Sequence, residues 1–179
     1  AQQSFAFYQD YFEVAYPFGK YDQIIVPDFN AGAMENVAAV TYNERYISRG
    51  EKSTAQLRSL ASVIAHEMAH MWFGDLVTME WWNGLWLNES FATYMANLEL
   101  DRASSFSNVW DSYYTGNKLW AYETDQLVTT HPIELSVPTT ADAFTNFDGI
   151  TYGKGGSVLK QLPYLIGEEN FRNGVSNYL

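Results

Sequence analysis

The stretch AHEMAH, residues 65–70, holds two of the three histidines in a chain of 179 residues. It constrains the fold because its rings can meet only if the segment is helical. On an α-helix, positions i and i+4 lie on one face a turn apart; on a strand they would stand about 13 Å apart. The flanks agree with a helix. Ser53 and Gln56 have capping-box spacing, apolar residues recur at helical intervals, and Gly74 supplies a stop, which predicts a helix over 54–73. His66 and His70 then aim at a common point. Glu67 stands about 100° round the helix, off the ligand face but near enough to take a proton from water held there.

Neutral imidazole is the commonest zinc ligand, and a catalytic zinc usually takes three protein ligands and a water. The chain has no cysteine, which removes thiolate ligands, disulfides and cysteine nucleophiles together. The third histidine, His131, precedes Pro132 in an expected loop and is a poor candidate. A carboxylate must then complete the set. Glu89 follows His70 after eighteen intervening residues, in the expected first turn of the next helix. Taken alone it would read as an acid favoured by the helix dipole; with HEMAH ahead at workable spacing, the ligand reading prevails.

A formal charge of −11 and the lack of a basic run argue against nucleic acid. The same acidity favours cationic partners, including a metal ion or a substrate with a free amine. No run of about 18 apolar residues is present, so no membrane-spanning segment is expected in this chain.

Residues 2–14 carry Phe5, Tyr8 and Phe12 at helical spacing, as if the chain opens in mid-helix. QIIV reads as a strand stopped by Pro27, PDFNAGAMEN as a turn-rich loop, VAAVTY as a second strand and SRGEKS as a loop. After the aromatic connection MEWWNGLW a helix is expected from Leu87–Asn88 through NESFATYMANLEL. Residues 106–126 read as an interrupted helix, 131–149 as a long loop, and Tyr152 to Ile166 as helical again.

HEMAH, eighteen residues, then Glu89 in LWLNES, with GAMEN upstream, resembles the zinc aminopeptidase N family, the gluzincin group that also includes leukotriene A4 hydrolase. YPFGKYDQIIVPDFNAGAMEN, HEMAHMWFGDLVT, LWLNESFATYM, TTHPI and FDGITYGKGGSVL follow the family pattern in order, over nearly the whole chain. The resemblance implies an α+β, predominantly helical, thermolysin-like zinc peptidase catalytic domain with a small N-terminal β-region. It implies one Zn2+ per chain on His66, His70 and Glu89, with Glu67 as general base. Gly32, Ala33, Met34, Glu35 and Asn36 would form an edge strand along which an extended peptide pairs, with Glu35 on its free α-amine. Tyr152 would donate a hydrogen bond to the oxyanion. Gly153, Gly155 and Gly156 are expected to permit close helix packing, since no phosphate-binding pattern accompanies them. Residues 1–179 would be a single, partial catalytic domain. A β-rich domain before it and a helical domain after it would lie outside this chain as its neighbours.

Three other functions compete. An epoxide hydrolase is disfavoured by GAMEN in place of GGMEN. An endopeptidase is disfavoured by Glu35, since an internal peptide bond offers no amine. A non-catalytic binding module is disfavoured by the intact set of His66, Glu67, His70, Glu89 and Tyr152.

Overall fold

The computed structural model describes residues 1–48 and 50–179; Arg49, in the expected SRGEKS loop, lies outside the described residues. Helix α1, Gln2–Phe12, forms where the aromatic spacing predicts it and buries Tyr8, Tyr11 and Phe12. The Tyr8 hydroxyl donates to the Ala65 carbonyl at 2.9 Å, tying α1 to the helix that carries HEMAH. Strands β1 (Asp22–Val26), β2 (Ala33–Met34) and β3 (Ala39–Asn43) make a small sheet in the order β1-β3-β2. β3 runs parallel to β1 and antiparallel to β2. Val40 and Tyr42 alternate with less buried neighbours, as expected of a strand with one face on a core. β2 emerges from the stretch read as a loop. It pairs on one side only, so its outer edge is free among the described residues.

Helix α2, Thr54–Ala69, starts on the expected capping box, with both the Ser53 and Gln56 hydrogen bonds formed. It ends at Ala69, short of the expected residue 73. The reason is a reversal at Gly74, whose φ of +132° is a conformation that side-chain-bearing residues rarely adopt. The chain folds back so that the Asp75, Leu76 and Val77 amides bond the carbonyls of His70, Met71 and Trp72. Those returning amides satisfy carbonyls that the helix end leaves free.

The aromatic connection winds as a 3₁₀ turn over Trp82–Gly84 and feeds α3, Leu85–Ala103, two residues earlier than expected. Glu89 therefore sits beyond the first turn of α3 rather than within it. Nearly every face of α3 is buried, which makes it the central helix, packed by α2 on one side. The expected interruption in 106–126 is a π-turn, Tyr114–Lys118, between α4 (Val109–Tyr113) and α5 (Leu119–Asp125).

The long loop contains a short helix, α6 (Thr140–Ala143), capped by Thr139 and Asp142. It is held by the aromatic connection: Trp81 Nε1 donates to the Val137 carbonyl at 2.6 Å and Asn83 Nδ2 to Glu134 at 3.2 Å. A second π-turn, Ile150–Lys154, leads into α7 (Gly155–Ile166), and α8 (Glu168–Tyr178) closes the fold against α1. Together these make an α+β, mainly helical architecture, as expected. Among the described residues no helix is long and apolar enough to cross a membrane.

Candidate active site

The i, i+4 geometry of α2 and the docking of α3 beside it bring three potential ligand atoms together. His66 Nε2 lies 3.1 Å from His70 Nε2 and 3.2 Å from Glu89 Oε2, and His70 Nε2 lies 3.4 Å from that same oxygen. These three residues form a group able to hold a metal ion. Zinc bonds of about 2.0–2.2 Å at tetrahedral angles separate ligand atoms by about 3.3–3.6 Å, so the triangle fits such an ion with one position left open. His70 Nδ1 faces the Phe73 carbonyl at 2.9 Å. A carbonyl can only accept, which assigns a proton to Nδ1, so that in the neutral ring the Nε2 lone pair faces the triangle. The turn at Gly74 thus does more than end α2: it folds back the carbonyl that orients His70.

The electrostatics of the site attract a cation. Burial opposes charge on His70, but Glu35 and Glu89 outweigh it and raise its pKa well above the ordinary histidine value. Burial also opposes ionisation of Glu89, yet His70 and His66 hold its carboxyl well below the usual carboxylate range.

Glu67 projects elsewhere, as its place on the helix requires. It is 5% exposed, and its Oε2 accepts no hydrogen bond among the described residues. Burial, with smaller contributions from Glu35 and Glu89, pushes its pKa up to about 8 against the pull of His70. A carboxyl in that state is suited to exchanging protons near neutrality. Asp75, which the sequence reading passed over, is a second partly buried carboxyl with an unpartnered oxygen; burial pushes its pKa up to about 7. Its place in the reversal after HEMAH was the available signal.

Residues 32–36 form another wall, with β2 packed beside α2. Ala33 and Met34 form β2, and the Gly32 carbonyl accepts from the Asn43 amide at 2.9 Å. Asn36 anchors the strand's end through Nδ2 to Thr41 at 3.2 Å. Glu35 reaches toward the ligand group, with Oε1 3.9 Å from His70 Nδ1.

Tyr152 comes from the second π-turn. Its ring stacks on His66 at 6.0 Å, and Trp120 and Phe147 stand beside it. Burial and the carboxylates of Glu89, Glu35 and Glu67 raise its pKa well above the ordinary tyrosine value, so the hydroxyl keeps its proton as a donor.

His131 is not in the ligand group. Its Nε2 meets Asp148 Oδ2 at 3.0 Å, while Asp148 Oδ1 accepts from the Ile150 and Thr151 amides. The pair caps the turn that carries Tyr152. Asp148 was also missed by the sequence reading, although an Asp two residues before a helix start is a recognisable capping signal. Close packing completes the placement. A β-carbon at Gly153 would overlap the Asn117 carbonyl of the first π-turn, one at Gly155 would overlap Ser90, and one at Gly156 would crowd Tyr113.

The sequence profile of the peptidase family M1 domain matches residues 1–179. The chain is 52% identical over 179 residues to aminopeptidase N of Streptomyces lividans, covering 99% of this chain and 21% of that protein. It is 44% identical over 180 residues to leucyl aminopeptidase of Saccharolobus solfataricus, covering 100% and 23%. Against alanine/arginine aminopeptidase of Saccharomyces cerevisiae the identity is 42% over 181 residues, covering 100% and 21%. The chain thus spans between a fifth and a quarter of the length of these relatives. On both the profile and the relatives, the chain belongs to peptidase family M1, the aminopeptidase N family that its motifs resemble.

Proposed function

We propose that this chain is the catalytic core of a zinc aminopeptidase that removes the N-terminal residue from peptides. The observation that carries the reading is the convergence on one site of a three-residue group able to hold a metal, a Glu67 carboxyl whose Oε2 has no partner among the described residues, and Glu35 within 3.9 Å of His70. His66, His70 and Glu89 would hold the ion. When bound, zinc supplies Lewis-acid polarisation of a carbonyl and makes water more acidic.

The remaining work falls to side chains. Glu35 pairs with the substrate's α-ammonium, and a fixed anion one residue from the reacting bond selects exopeptidase cleavage. The free edge of β2 bonds the extended peptide backbone. Glu67 takes a proton from the attacking water and passes it to the leaving amine. The Tyr152 hydroxyl, kept protonated, donates to the oxyanion as the carbonyl carbon becomes tetrahedral. Residues 1–179 act as part of a catalytic domain within a longer protein. The relatives differ in the residue their names specify, leucine in one and alanine or arginine in another.

The test uses the full-length protein with aminoacyl reporter amides and their N-acetylated forms, with and without a chelator. Chelator-sensitive cleavage of the free-amine forms alone is expected. Equal cleavage of the acetylated forms would remove the Glu35 role and indicate an endopeptidase.

A further inference from the structure

We propose that the basic cavity at the Gly32 end of β2 receives the terminal carboxylate of tripeptide-sized substrates and so favours short peptides with a free C-terminus. The inference rests on the reading above that Glu35 holds the amine. Beyond Asn36 the chain turns back into β3, with the Ala39 amide on the Asn36 carbonyl. The extended part of this wall therefore lies N-terminal to Glu35, at Ala33–Met34. A peptide whose amine sits at Glu35 must then run antiparallel to β2, toward Gly32.

What waits there is a pair of cations in a chain of net negative charge. Arg45 Nη2 lies 3.0 Å from where a Gly32 β-carbon would stand, so a side chain on Gly32 would press against the guanidinium. Arg45 also lines a cavity of about 380 Å³ with Tyr46, Ser48, Lys52, Gln56 and Ser59, and among the described residues no acidic side chain lines it. The lysine and arginine ion pairs are Lys20 with Asp22, Arg102 with Glu168, Lys154 with Asp125, and Arg172 with Asp10 and Glu13. Arg45 and Lys52 are in none of them among the described residues. Arg45 instead lies over the Tyr46 ring at 5.2 Å and donates to its hydroxyl at 3.3 Å, while Lys52 donates to the Tyr46 carbonyl. Both cations are held in place with hydrogen-bonding capacity to spare, and a guanidinium matches a carboxylate through two parallel bonds.

Two independent rulers give the length of the occupant. Along α2, seven residues separate Ser59 at the cavity from His66 at the ligand group, an axial rise of about 10 Å. Along the edge strand, three residues separate Glu35 from Gly32, again about 10 Å. An extended tripeptide spans about 10 Å from amine to carboxylate. With its amine at Glu35, its carboxylate arrives at Arg45.

The experiment compares trialanine as the free acid with trialanine amide on the full-length protein, with an alanyl reporter amide alongside. The free acid is expected to show about tenfold higher kcat/KM than the amide, carried by KM, as a charge-assisted hydrogen bond would give. In Arg45→Ala the acid-to-amide ratio should fall to about one, and in Arg45→Glu it should invert. Because each ratio is taken within one variant, a general loss of activity does not mimic the effect. Equal rates on acid and amide in the unmodified protein, with the reporter cleaved, overturn this inference alone. A tenfold ratio that persists in Arg45→Ala overturns the assignment of the cavity. Failure to cleave the reporter at all overturns the aminopeptidase reading, and this inference with it.

Discussion

Two walls of the site are built by different means. One wall is the helix pair α2 and α3, where His66, His70 and Glu89 meet because a helix repeats every 3.6 residues and two helices pack side by side. The other wall is Tyr152 and its support, where position depends on an Asp148 cap, a His131 partner and a glycine face pressed onto a distant turn. The first wall needs few long-range contacts to be nearly correct. The second needs many. Chemistry set by helical repeat should therefore tolerate changes in its surroundings, whereas chemistry set by a latch should not.

That contrast can be tested on the full-length protein, starting from the largest effect. Glu89→Ala removes one corner of the triangle, and the expected outcome is loss of both bound zinc and turnover, read by metal analysis beside a reporter assay. Glu67→Gln should keep zinc while lowering kcat about 10³- to 10⁴-fold, the upper range for a general base. Retained turnover in that variant would move the base elsewhere, with Asp75 the next carboxyl to examine. Tyr152→Phe should lower kcat about 10²- to 10³-fold with little change in KM, as for the loss of one oxyanion donor.

The latch should report more gently. Asp148→Ala leaves Tyr152 in the chain but removes its cap, so kcat should fall about tenfold and stability by about 1 kcal/mol. Asp148→Asn, which can still accept from the Ile150 and Thr151 amides, should recover most of both. If Asp148→Ala loses stability alone, the latch holds the fold and not the hydroxyl. Smallest of all, Ser53→Ala should cost about 1 kcal/mol in thermal unfolding with no change in kcat, because that cap lies far from the ligands along α2.

The histidine pair of the candidate metal group was legible because histidines four apart and a capping box are signals within one or two helical turns. The end of α2 was not. Gly74 marks a stop, but only the returning amides of Asp75 to Val77 show that the helix yields at Ala69. The place of Glu89 on its helix was missed by two residues, since nothing in MEWWNGLW distinguishes a loop from the 3₁₀ entry that starts α3 early. GAMEN read as a loop on composition and as an edge strand only through the family likeness; its two-residue pairing with β3 is too short to leave an alternating pattern. His131 carried no local sign of its partner, which lies seventeen residues on in the chain.

Sequence by itself therefore settled the local matters: which helix presents the histidine pair, where that helix begins, that cysteine chemistry is absent, and that the chain is acidic. Tertiary structure decided which carbonyl orients His70, which of many aromatic side chains stands over His66, and where Arg45 and Lys52 sit relative to the edge strand. The division follows the range of the forces. Helical repeat and end-capping act between residues a turn apart and are written in adjacent letters. Burial, desolvation and the closing of a cleft depend on which distant segments meet, and that is set by packing the whole chain at once.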